Sequence, residues 1–113
     1  MRIQVKGRNG MTVDDELVER AQKKLEKVTR QVSPLAELEL ECREERNPAI
    51  RDSQIVEATL HLKGVTLRAC ERSKDMGHSL NMVADDLARQ VKKHRDKRRR
   101  RRETAHPQQP YVA

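Results

Sequence analysis

Residues 2–7, "RIQVKG", alternate, with Ile3 and Val5 set between polar neighbours in the period of a half-buried strand that ends at Gly7. The period then changes. Val13, Leu17, Ala21, Leu25, Val28 and Val32 recur at spacings of three and four and define one face of a helix. Thr12 is its expected N-cap, with Asp15 as the capping-box partner three residues on, and "SPL" at residues 33–35 stops it. In "LAELELECRE" the alternation returns without a slip, placing Leu38, Leu40 and Cys42 on one side of a strand and Glu37, Glu39 and Glu41 on the other. After the polar loop "ERNPAIRDS", Val56, Ala58, Leu60 and Leu62 alternate as far as a Lys63–Gly64 turn. Val65, Leu67 and Ala69 then return as the second arm of a hairpin. Ser73 is the expected cap of a second helix, on which Met76, Leu80, Val83, Ala84, Leu87 and Val91 form one stripe. After His94 the chain is too charged to bury anything.

The predicted order is β-α-β-β-β-α, an α+β fold. A right-handed crossover through the first helix makes the first two strands parallel, and short turns make the last three antiparallel. Only one face of each strand is apolar, so both helices pack on one face of a four-stranded mixed sheet. The row Glu37, Glu39, Glu41 then lies on the open face, where it is expected to repel phosphate.

Composition sharpens this picture. The 113 residues suit one domain with a small core, because 38% are charged, 35% are hydrophobic and the single aromatic is Tyr111. The net charge of +7 is localised: residues 1–88 hold 15 Lys/Arg against 16 Asp/Glu, and residues 89–102 hold 10 against 1. Such asymmetry points to a polyanionic partner. A membrane surface fits less well than nucleic acid, since there is no apolar anchor or lipidation motif. With no signal-peptide pattern or spanning stretch either, the cytoplasm is the expected location. Cys42 and Cys70 form no CxxC and have no His at metal-ligand spacing, so they read as buried or half-buried free thiols; no metal, cofactor or small-molecule substrate is expected.

The basic residues themselves fall into two groups. On a helical wheel Arg20, Lys23, Lys24, Lys27 and Arg30 share one sector beside the apolar stripe. The second helix turns basic at Arg89 and continues through Lys92, Lys93, Arg95 and Lys97 into Arg98, Arg99 and Arg100 of an arginine run that ends at Arg102. Exposed Lys and Arg commonly only solvate a helix, and cations near its C-terminus complement the dipole. Two basic clusters on neighbouring elements make a stronger case. Without aromatic stacking platforms, recognition would act through phosphates and the shape of structured RNA.

"AQKKLEKV", "VEATLHLKG" and above all "RSKDMGHSLNMVADDLARQVKKH", in which Asp75-Met76 opens a helix ending in a Leu-x-Arg-Gln-x-x-Lys-like pattern, resemble the ribosome hibernation promoting factor and ribosome-associated inhibitor A family over roughly residues 1–97. The resemblance implies a cytoplasmic, non-enzymatic stress or stationary-phase factor. It would bind the small ribosomal subunit, touching 16S-type rRNA and neighbouring ribosomal proteins in the mRNA and tRNA channel, and block translation without needing to oligomerise. The rRNA contacts it implies correspond to Lys23, Lys24, Lys27 and Arg30, then Arg89, Lys92, Lys93 and Lys97. Arg20, Arg95 and the arginine run are added by the charge pattern alone.

Departures accompany the resemblance. Gly77 stands where members commonly carry Tyr, His78 follows it, and Asp85-Asp86 occupy a region where Lys is frequent. The expected organisation is a ribosome-binding domain over residues 1–97 and a basic tail, or the start of a linker, over 98–113. Both a short-form factor and the first domain of a longer protein fit that pattern. A general double-stranded RNA-binding module is the alternative reading. Asp85, Asp86, His78 and His94 share one helix and could hold Mg²⁺ in a nuclease, but they read more simply as a solvated polar face.

Overall fold

Strands β1 (Arg2–Arg8), β2 (Glu37–Glu44), β3 (Gln54–Leu62) and β4 (Val65–Ser73) form one sheet in the order β1-β2-β3-β4. β1 runs parallel to β2, and the other two pairs are antiparallel. The computed structural model describes residues 1–8 and 10–105, and side chains among these up to residue 100. Helices α1 (Asp15–Lys24), α2 (Glu26–Thr29) and α3 (Met76–Ala105) cover one face of the sheet. The mixed α+β architecture and its strand order agree with the hydrophobic pattern, which merges α1 and α2 into one helix.

The break between α1 and α2 has a local cause. Leu25 leaves helical geometry at φ −90°, ψ 3°, while the Thr29 hydroxyl donates to the Leu25 carbonyl at 3.1 Å. Back-bonding of this kind to the carbonyl four residues earlier bends helices. The bend keeps both Leu25 and Val28 buried.

Two caps differ from expectation. Asp14, not Thr12, caps α1, its carboxylate accepting from the Leu17 N–H at 2.8 Å, because the helix begins later than its apolar face suggests. At α3 the Asp75 carboxylate accepts from the His78 N–H at 3.0 Å. Ser73 instead ends β4, where its hydroxyl accepts from the Asp75 N–H at 3.2 Å and lies 2.7 Å from the Ser79 hydroxyl. Ser79 donates to the Gln54 carbonyl at 2.7 Å. The start of α3 is thereby tied to the end of β4 and the start of β3.

Leu17, Ala21, Leu25 and Val28 meet Leu80, Val83, Ala84 and Leu87 above Leu38, Leu40, Cys42, Val56, Ala58 and Leu60. Each fully buried Leu or Val here contributes roughly 1.5–3 kcal/mol. At the β4 edge, Gln90 of α3 donates to the Arg68 carbonyl at 2.8 Å, which protects part of an otherwise open strand edge.

The buried stripe of α3 ends at Val91, yet the helix continues to Ala105 without a break at 97/98. Its 30 residues span about 45 Å, so the helix runs well past its last buried residue, Val91. The residues 106–113 of the expected linker lie outside the described residues.

The open face of the sheet differs from the acidic surface expected of it. Glu37, Glu39 and Glu41 do lie there, but the register sets Arg2, Lys6 and Arg8 beside them on β1, with Arg43 further along β2 and Arg68 and Arg72 on β4. Arg8 pairs with Glu41, and Arg43 with Glu57 at 2.5 Å. The Glu57 hydrogen bond holds the Arg43 guanidinium above its ordinary pKa. A strand read alone shows only its own charges; pairing with basic neighbours makes this face mixed.

Candidate nucleic-acid interface

The stripe 77, 81, 85 of α3 advances one helical turn at a time, and each position meets a cation from the first helical segment. Arg20 of α1 covers Gly77, where an added Cβ would collide with its guanidinium. Lys24 donates to the Asn81 side-chain oxygen at 3.1 Å. Lys27 of α2 reaches the Asp85 carboxylate at 2.5 Å. Arg20, Lys23, Lys24, Lys27 and Arg30 therefore line one depression together with Asn81, as the helical wheel requires.

Charge is trimmed within this group. Arg30 lies 3.7 Å from Glu26, and Lys27 is paired as above. These pairs are exposed, and such contacts contribute at most about 1 kcal/mol to stability. Their larger effect is to hold flexible side chains in place and lower the local potential.

The second cluster continues along the same helix. Arg89, Lys92, Lys93, Lys97 and Arg100 line a single stripe interrupted by Asp96. Its near end is again moderated, since Arg89 lies 3.8 Å from Asp86. Arg98 turns away to a different depression, beside Lys63, Gly64, Val65 and His94. Arg95 and Arg99 are exposed but line none of these depressions. The expected ridge thus has two basic segments, with Asp85 and Asp86 at the junction.

Sequence reasoning left Lys63 and His94 out of the RNA-facing set, yet the end of the β3–β4 hairpin and α3 bring them together. A signal was available only for the helix side: 94 and 98 extend the core-facing series 87, 91 by the same steps of three and four, so they stay on the sheet side of α3, and the structure sets the hairpin tip beside them. The open-face cations Arg8, Arg43 and Arg72 needed the strand register to be seen as one row.

The thiols separate by exposure. Cys42 is buried, and burial, reinforced by the charge of Glu41, pushes its pKa up to about 11. Cys70 is exposed on the open face, contrary to its expected burial. Its thiol is also raised, chiefly by desolvation and then by Glu57. No group of three or more His, Cys, Asp or Glu among the described residues could hold a metal ion. Among them no helix is long and apolar enough to cross a membrane.

A sheet covered on one face by helices with basic outer edges is a scaffold that many functions share, so comparison with known proteins bears directly on this one. The family model described as Sigma 54 modulation protein / S30EA ribosomal protein matches residues 3–99. The chain belongs to that family. A ribosome hibernation promotion factor from Picosynechococcus sp. is 29% identical over 98 residues, which cover 86% of this chain. The chain spans about half the length of that relative, 50%. A ribosomal subunit interface protein from Coxiella burnetii shares the fold with a TM-score of 0.68 at 24% identity, covering 85% of this chain and 99% of the other. The Protein Y N-terminal domain from Thermus thermophilus does so with a TM-score of 0.69 at 22% identity, covering 83% and 99%.

Proposed function

We propose that this protein is a cytoplasmic ribosome hibernation factor, a binding protein rather than an enzyme, that occupies the mRNA and tRNA channel of the small ribosomal subunit and blocks translation under stress. The observation that carries this reading is the α1/α2–α3 stripe, in which Arg20, Lys24 and Lys27 are held against α3 and the basic series from Arg89 to Arg100 continues along the same helix. Membership of the S30EA family and the name of the Picosynechococcus relative support it.

The mechanism is steric occlusion with electrostatic placement. The folded sheet and helices fill the channel while cations on two helices meet rRNA phosphates, releasing counterions. The projecting part of α3 extends the reach of the basic stripe beyond the packed core. Residues 1–97 are the ribosome-binding unit in this reading, and 98–113 form a basic extension that adds affinity without sequence preference.

Co-sedimentation with purified small subunits, compared with an equal mass of RNA duplex across a salt series, tests the proposal. Saturable binding near one copy per subunit, persisting at salt that strips the duplex, is the expected result. Equal loss from both would replace it with a general double-stranded RNA-binding module.

A further inference from the structure

Between Val91 and Arg100, the side of α3 that faces the sheet no longer carries apolar residues. The series 87, 91, 94, 98 keeps its direction, but its last two members are His94 and Arg98. They meet the tip of the β3–β4 hairpin and, with Lys97, enclose an open depression of about 490 Å³ lined also by Lys63, Gly64 and Val65. No carboxylate lines it, and Lys63, Lys97 and Arg98 make no ion pair among the described residues. Like charges gathered without a counter-charge repel, so this arrangement is favoured when an anion enters.

The turn suits close approach. Gly64 takes φ +80°, and a Cβ placed there would meet nothing within 4 Å, so the backbone of the hairpin tip is open to a ligand. Lys97 lines this depression and also the Arg89–Arg100 stripe on the neighbouring sector of the helix. A continuous polyanion can therefore occupy both, which a small free anion cannot.

We propose that the β3–β4 hairpin tip and α3 form a phosphate-binding pocket in which Lys63, Lys97 and Arg98 hold a backbone phosphate of RNA, with His94 as a further polar wall. The pocket rests on the reading of the helices as an RNA-facing surface and adds a third element, the hairpin, to it. Its ligand is a phosphodiester of the strand that also lies along the Arg89–Arg100 stripe. Lys63 anchors the hairpin side, 34 residues before its nearest charged partner in the pocket along the chain, so its contribution separates cleanly from helix charge.

The test compares the full chain with Lys63→Gln, Lys63→Arg and, as a control for net charge, Lys6→Gln on the open face. Binding to small subunits is measured across a salt series. Losing one phosphate contact reduces the slope of log K against log salt by about one. That reduction in Lys63→Gln, with Lys63→Arg and Lys6→Gln keeping the parent slope, supports the pocket. An unchanged slope in Lys63→Gln, or an equal change in Lys6→Gln, overturns it. If the parent chain fails to bind subunits at all, the ribosomal reading falls, and titration of inorganic phosphate followed by the Gly64 and Val65 amide signals decides the pocket alone. Saturating shifts lost in Lys63→Gln sustain it; shifts absent, or spread evenly over every basic segment, overturn it.

Discussion

The guanidinium of Arg20 occupies the space beside Gly77 that a side chain at that position would fill. Gly77, where members of the resembling family commonly carry Tyr, thus leaves room for a cation. Gly77 does not adopt positive φ, so its absent Cβ serves access for Arg20 and not backbone freedom. The obstructing atom is the far end of a flexible side chain, so Arg20 can swing aside at little cost.

Gly77→Ala therefore separates stability from binding. Helix propensity favours Ala over Gly by roughly 0.5–1 kcal/mol, so thermal unfolding should shift upward by a few degrees. Displacing Arg20 from the stripe should weaken binding to small subunits several-fold. A stabilised variant with parent affinity would exclude Arg20 from the interface.

Asp85 holds Lys27 and sits where the two basic segments meet. Asp85→Asn keeps a side chain that can still accept from Lys27 but removes the negative charge from the junction. Tighter binding to the small subunit and a steeper salt dependence are expected, with unfolding free energy changed by less than about 1 kcal/mol because the pair is exposed. Weaker binding would mean that Asp85 itself contacts a ribosomal group.

The fold was largely legible because period-two and helical patterns in this chain rarely overlap. Strand identities, their order and both buried helix stripes follow from where Leu, Val and Ala recur. The caps were less legible, since Thr12 and Asp14 are both good N-caps and only the structure shows that Asp14 accepts from the Leu17 N–H. The binding surface was half visible: a wheel groups Arg20 with Lys27, but the partners Asn81 and Asp85 appear only once two helices cross. Lys63 needed tertiary structure, because no sequence period links a hairpin turn to residue 98.

Gly7 marks a different constraint. It faces the helices from β1, and a Cβ there would collide with the backbone carbonyl of Met11, with the Val13 side chain also close. A backbone obstacle cannot rotate away, and the Met11 N–H is tied to the Arg8 carbonyl at 3.1 Å. Gly7→Ala should lower unfolding free energy by about 1–3 kcal/mol, measured by urea denaturation, whereas Gly64→Ala is strained only by its positive φ. Equal stability of Gly7→Ala and the parent would show that the β1–α1 connection readily shifts.

Cys42 gives the molecule a pH-dependent term on the alkaline side. Its thiol ionises at about 11 in the folded protein against 9.0 for an ordinary thiol, because burial and Glu41 disfavour the thiolate. Above pH 9 the unfolded chain loses this proton first, which draws the equilibrium towards unfolding. The stability linked to Cys42 is complete below pH 9, declines at about 1.4 kcal/mol per pH unit, and is gone once pH passes the folded value. Cys70 is shifted in the same direction, so Cys42→Ala, which sacrifices little volume on the inner face, isolates the term. Under reducing conditions the parent should lose stability between pH 9 and 11 faster than Cys42→Ala by up to about 2–3 kcal/mol. Parallel pH profiles for the two proteins would show that the thiolate is accommodated in the core.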